Sequence, residues 1–245
     1  MAYSDKFRST EAANAYDANE YSSTSVGNLL WFIEKTILRQ LLRRVQPNIK
    51  HRYLDFACGT GRVVSFIAPF VHSSTGIDVS AEMLTLAQKR SPRTQFICKA
   101  ITTDETTDGT YNLITSFRFL SNVDRHVGHA ALLALRSRMK PDAILVINTH
   151  TNPLSYKLLL LVWHSVRKFF GGNVHTRYLT LAEMRKILTK AGFEVIETIG
   201  YGFIPGKLLK FIPWKQALNL ERCLFRIPAL RPFGVNQIAV CRRII

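Results

Sequence analysis

"YLDFACGTGR" occupies residues 53–62. It reads as a short strand that ends at the carboxylate Asp55 and turns through Gly59 and Gly61, where a Cβ would obstruct a ligand or the backbone angles. Outward from it, strands alternate with helical stretches: "RYLDFA", "RVVSFIAPFV", "STGIDV", "AEMLTLAQKR", "TQFICKA", "YNLITSF", a helix from about Val127 to Met139, and "AILVINTH". This alternation predicts an α/β fold, a doubly wound and mostly parallel sheet with helices on both faces. Ligands bind such a sheet beyond the carboxyl ends of its strands, so the residues there are the candidates for chemistry.

The flanks complete one domain over residues 1–245. "VGNLLWFIEKTILRQLLRRV" places Leu30, Ile33, Ile37, Leu41 and Val45 at helical spacing and ends near Pro47, giving an N-terminal helical cap over 1–47. The cofactor-binding core spans 50–202 and closes with "TLAEMRKILTKAGFEVIETIGYG", a helix with a Thr180–Glu183 capping box, a stop at Gly192 and a strand. Residues 203–233 form a basic, proline-punctuated insertion that reads as a lid, and 234–245 carry the last strand, "VNQIAVCRR".

Composition narrows the partners. The chain has 33 Lys and Arg against 17 Asp and Glu, with 18 basic and 13 acidic residues in the first 150 but 15 and 4 afterwards. The later part therefore suits an anionic surface: nucleic acid, lipid headgroups or a phosphorylated substrate. Cys58, Cys98, Cys223 and Cys241 form no CxxC pair and have no His at metal spacing, so no metal site is expected and reduced thiols in a cytoplasmic protein fit best. No signal peptide follows Met1, and the apolar window from Leu154 to Phe170 is interrupted by Lys157, His164, Arg167 and Lys168. It falls short of the roughly 20 residues that span a bilayer. No pattern specifies an oligomeric state.

The glycine turn arbitrates between cofactors. A dinucleotide fingerprint fails because Val64 stands at the third glycine position and Asp55 precedes the turn, where it would repel a pyrophosphate. Asp78 ends the second strand seventeen residues beyond Gly61, placed to accept hydrogen bonds from both hydroxyls of a ribose. A carboxylate before the turn suits a cofactor carrying an ammonium and a sulfonium.

"YLDFACGTGR" followed by "GIDVSAEML" resembles the glycine and ribose motifs of the class I S-adenosylmethionine-dependent methyltransferase family, and "YNLITSFRFLSNV", "LRSRMKPDAILVINTH" and "LTLAEMRKILTKAGFEVIE" resemble its later signatures in order. The resemblance covers roughly residues 50–202 and implies a seven-stranded, Rossmann-like sheet with S-adenosylmethionine as cofactor. It implies Asp55 and the backbone of Ala57, Cys58, Gly59, Thr60 and Gly61 around the methionine part, Asp78 on the ribose, and Val79 and Met83 against the adenine, with Ile101 and Ser116 completing the pocket. The chain departs from the family at Ala57, where a glycine is usual, and at Lys99, where an Asp often meets the adenine amino group; Asp104 or the Ile101 backbone would then take that contact.

The acceptor is less marked. The Asn/Asp-Pro-Pro-aromatic motif for base amines is absent after "YNLITS", as is a Pro-Cys nucleophile, which argues against DNA-base chemistry. His150 is the candidate base, because imidazole titrates near neutral pH, and Arg118 is a candidate clamp for an anionic group. Phe119, Asn148, His175, Arg177 and Tyr178 are expected to border the acceptor, with Asn152 also at this edge and Tyr16 and Tyr21 as lid residues. "LSYKLLLLVWHSVRKFF" and "GKLLKFIPWKQALNLERCLFRIPALR" mix apolar with basic residues as interfacial helices do, although core packing with a basic outer face explains each alone. The reading is O- or N-methylation of a small or lipid-attached acceptor, such as a lipid-linked sugar or quinone-like ring, by an enzyme peripheral to the inner face of an anionic membrane. An RNA methyltransferase and a cofactor-binding protein without transfer activity are the alternatives, with nucleic acid the less favoured partner.

Overall fold

The computed structural model describes residues 25–45, 51–100, 110–150, 152–158 and 177–244, with the single residues 11, 15 and 18. Ile101, Asp104, His175, Tyr16, Tyr21, the Gly171–Gly172 pair and most of the first basic-apolar segment lie outside the described residues.

Seven strands form one sheet: β1 (Arg52–Phe56), β2 (Ser73–Asp78), β3 (Gln95–Cys98), β4 (Tyr111–Ser116), β5 (Met139–Thr149), β6 (Phe193–Tyr201) and β7 (Asn236–Arg243). Their order is β3-β2-β1-β4-β5-β7-β6, with β7 antiparallel to both its neighbours and the pairs from β3 to β5 parallel. Strand order reverses between β1 and β4, so the crevice of an open α/β sheet falls there.

One face is covered by α4 (Arg125–Ser137) and α5 (Leu181–Lys190), whose Leu132, Leu135, Met184 and Leu188 pack with Leu54, Ile114, Leu145 and Ile147. The other is covered by α1 (Val26–Val45), α2 (Arg62–Ile67) and α6 (Trp214–Leu224); Ile33, Ile37, Val64 and Phe225 meet Tyr53, Leu113, Val146 and Ile238 there. α3 (Ala81–Arg90) links β2 to β3. The fourth helix starts two residues before the predicted one and ends two before it, and the fifth helix has the expected capping box, Thr180 Oγ1 accepting from the Glu183 amide while the Glu183 carboxylate accepts from the Thr180 amide.

The insertion before β7 is more firmly seated than the word lid implies. It folds as a 3-10 turn (Gly206–Lys210), helix α6 and a second 3-10 turn (Pro228–Phe233). Ile204 and Ala217 bury against Leu29 of α1, and Trp214 packs edge-on to Phe32. The buried Glu221 carboxylate accepts from the amides of Gly202 and Ile204, which ties α6 back to the end of β6.

Candidate active site

The turn after β1 is held by its own backbone. Ala57, Gly59 and Gly61 all adopt positive φ (56°, 53° and 74°), and the Gly61 amide donates to the Cys58 carbonyl at 3.0 Å. The two glycines do different work. A Cβ on Gly61 would stand 2.8 Å from Cβ of Ala87 on α3, so that glycine lets a helix approach, whereas a Cβ on Gly59 would meet no protein atom within 4 Å and would project into open space. That open side is where a cofactor would lie.

Asp78 closes the turn from β2. Its carboxylate accepts from the Gly59 amide (2.8 Å) and the Ser80 amide (3.0 Å), at the carboxyl end of its strand. Burial holds its pKa above the usual carboxylate range although both amide bonds oppose this. Val79, next along, is 54% exposed and offers an apolar wall at the rim.

The other residues expected around the cofactor differ in how far their side chains are already engaged by protein. Asp55 lies beneath the turn, 1% exposed, with its carboxylate accepting from the Val64 amide (3.1 Å) and the Thr115 hydroxyl (2.6 Å). It braces the turn from below. Burial pushes it up to about 7. Thr60 is buried and bonded by the Arg90 guanidinium through both its hydroxyl and carbonyl, so its side chain belongs to the scaffold. Met83 is buried in protein packing, and burial pushes the Cys58 thiol well up, leaving it unreactive. Asn152 ties the insertion to the end of β5: its side-chain amide donates to the carbonyls of Pro232 and Gly234.

Past β4, Arg118 takes φ 61°, a conformation that a non-glycine residue holds only when its surroundings enforce it. Its carbonyl accepts from the Asn122 side chain at 2.6 Å, while Phe119 turns back to pack edge-on against Phe56. The Arg177 amide donates to the Ser121 carbonyl, which brings Arg177 and Tyr178 to this same loop. The structure thus brings Arg177 and Tyr178 to the loop that follows Arg118 and Phe119.

His150 follows β5, half-buried, with Nδ1 buried and without a hydrogen-bond partner among the described residues. Burial, then the nearby charges of Arg118 and Lys157, push its pKa down to about 3. The expected general base is therefore neutral at physiological pH and weak. Ser116 Oγ, Ser121 Oγ, Asn148 Oδ1 and Asn236 Nδ2 are likewise buried without partners. Buried polar atoms ordinarily find partners, so this unsatisfied set at one sheet edge points to a polar ligand or ordered water there.

Sequence reasoning missed the group behind this edge. Glu34 of α1, fully buried, pairs with Arg62 at 2.8 Å and accepts from the Tyr201 hydroxyl at 2.7 Å. Tyr201 in turn accepts from the Asn148 side chain at 2.9 Å, and Arg62 lies over the Trp31 ring. One chain of contacts thus runs from the residue after Gly61, through the N-terminal helix, to the ends of β6 and β5. Its signal was a carboxylate between Ile33 and Ile37 on the apolar face of a helix.

A doubly wound sheet with this strand order, a glycine turn open on one side and a ribose-type carboxylate at the switch point together define a nucleoside-cofactor transferase. The Methyltransferase domain family model matches residues 30–198, and the chain belongs to that family. It is an S-adenosylmethionine-dependent methyltransferase. The Glaesserella parasuis ubiquinone biosynthesis O-methyltransferase is 25% identical over 166 residues (63% of this chain, 70% of that protein). The Hydrogenovibrio crunogenus protein of the same description is 24% identical over 176 residues (68% and 71%). Among solved structures, the magnesium protoporphyrin IX methyltransferase from Synechocystis PCC 6803 with bound S-adenosylhomocysteine superposes with a TM-score of 0.68, covering 98% of this chain and 96% of that one at 18% identity. The residues present fit the cofactor: the open side of Gly59 admits it, and Asp78 is fixed by two amides at the ribose position. Transfer activity removes the reading as a cofactor-binding protein without chemistry. Among the described residues no helix is long and apolar enough to cross a membrane, and no cluster of His, Cys, Asp and Glu could hold a metal ion.

Proposed function

We propose that the enzyme O-methylates an acidic hydroxyl, of the phenol or enol type, on a small or lipid-attached acceptor presented at an anionic membrane surface. The observation that carries this reading is the neutral, weakly basic His150 beside the charges of Arg118 and Lys157. When bound, S-adenosylmethionine supplies an electrophilic methyl group; the chain's own residues must align the acceptor oxygen and favour its charged form.

A sugar alcohol needs a capable base, and a histidine pushed down to about 3 is a poor one. A phenol or enol loses its proton far more readily, and two cations at the site stabilise the resulting oxyanion. The phenolic proton leaves to solvent before transfer, and His150 borders the acceptor as a neutral ring. The same cations stabilise an oxyanion but give a neutral amine no charge to pair with, which supports oxygen over nitrogen. In this reading Asp78 holds the ribose, Val79 borders the adenine, the Ala57–Gly61 backbone faces the methionine part, and Ser116 Oγ offers a polar contact at the end of β4. Arg177, Tyr178, Asn148 and Phe119 frame the acceptor, His175 joins them from outside the described residues, and the Ile101 backbone meets the adenine.

The test is methyl transfer from isotopically labelled cofactor to three acceptors: a prenylated dihydroxybenzene, a glycolipid and an aryl amine. Label in an ether on the phenolic ring is expected, with Arg118→Met lowering kcat by about a hundredfold. Transfer confined to the glycolipid or the amine would overturn the reading.

A further inference from the structure

We infer that the tip of the insertion between β6 and β7, where Phe211 and Leu208 project among Lys207 and Lys215, is a docking element for an anionic lipid bilayer. Phe211 is 82% exposed, more than any other large apolar side chain among the described residues, and Leu208 is 46% exposed. The two stand three residues apart on a 3-10 turn, where i and i+3 lie on one face, and the Phe211 amide donates to the Leu208 carbonyl. Two apolar side chains therefore share one side of an ordered protrusion.

The protrusion rests on a rigid support. Trp214 and Ala217 of α6 anchor on Phe32 and Leu29 of α1, and Gly206 sits directly against Val26. Its charge is one-sided. Residues 203–233 hold six basic side chains and a single acid, Glu221, which is buried and committed to the amides of Gly202 and Ile204. Lys207 and Lys215 are exposed. Cations around an apolar tip match a surface of anionic headgroups over an acyl interior.

The position fits as well. The tip packs on the N-terminal end of α1 beside Gly202, which follows Tyr201 at the sheet edge where Asn236 begins β7. Docking would bring that edge, with His150 and Arg118, close to the bilayer. The second of the segments expected as in-plane interfacial helices is revised accordingly: its Ala217 and Phe225 are buried, and its most exposed apolar side chain, Phe211, stands at a turn. A nucleic-acid partner suits the tip less, since only Phe211 of the apolar pair offers a ring for a base to stack on while Leu208 suits an acyl interior.

The full chain should be sedimented with phosphatidylcholine vesicles with and without phosphatidylglycerol, beside an RNA filter-binding titration. Binding only to the anionic vesicles is expected, lowered by roughly tenfold in Phe211→Ser and on the order of a hundredfold in Lys207→Glu/Lys215→Glu. Melting temperature and S-adenosylhomocysteine affinity should stay unchanged in both. No binding to anionic vesicles, or binding that survives these substitutions, would overturn the inference, as would RNA retention lost in the same variants. The inference deepens the reading of a membrane-presented acceptor and rests on it for its purpose, but sedimentation is read with no acceptor present. Failed sedimentation thus removes docking alone, whereas intact sedimentation with no transfer to a prenylated phenol supports docking and removes the acceptor reading.

Discussion

The two halves of the sheet edge are built differently. On the β1–β3 side, the cofactor turn is fixed by neighbours close in sequence: three positive-φ residues in a row of five, and amides of Gly59 and Ser80 on one carboxylate. On the β4–β7 side, the acceptor edge is assembled from far apart, with Glu34, Tyr201 and Asn148 linked across more than half the chain and several polar atoms left unpaired. The first half is fixed by its own turn; the second is held by long-range contacts that leave several buried polar atoms without partners among the described residues.

The sharpest way to break this contrast is to fill the open side of the turn. Gly59→Val should fold, at a cost of roughly 1–3 kcal/mol for its φ, yet lose S-adenosylhomocysteine binding beyond detection by calorimetry. Glu34→Ala attacks the other half through its support. It leaves Arg62 and the Tyr201 hydroxyl without their partner, and urea denaturation should show a loss of about 3–5 kcal/mol.

A pH effect separates the halves next. Burial pushes the Asp55 carboxyl up to about 7 in the folded chain, against 3.8 for an ordinary aspartate. The folded state therefore holds that proton more firmly, and the resulting stability is full below the lower value and lost as pH rises through the upper one. Melting temperature should fall on this account as pH rises from about 4 to about 7, the interval between the two values, and level off above it, and Asp55→Asn should remove that part of the fall. The smallest effect belongs to the scaffold shared by both halves: Thr180→Ala breaks the capping box of α5 and should cost about 1 kcal/mol.

Legibility in the sequence follows the same division. Gly59, Gly61 and Asp78 could be read because each acts through its own backbone or its place at a strand end, and local spacing reports both. Asp55 is legible as a strand-end carboxylate, but nothing local shows that Val64 and Thr115 take up its oxygens. Glu34 was passed over because its partners lie 28 and 167 residues away. His150 is legible as the residue that follows a strand, but its weak basicity depends on burial and on Arg118 and Lys157, which only the folded chain assembles.

The most direct test of the account is calorimetric titration of S-adenosylhomocysteine into the wild type, Asp78→Ala and Arg118→Met. Asp78→Ala should weaken binding by at least about a hundredfold, while Arg118→Met should leave it within about threefold, a shift under 1 kcal/mol. Equal losses in the two variants, or full binding without Asp78, would contradict a cofactor site confined to the β1–β3 half.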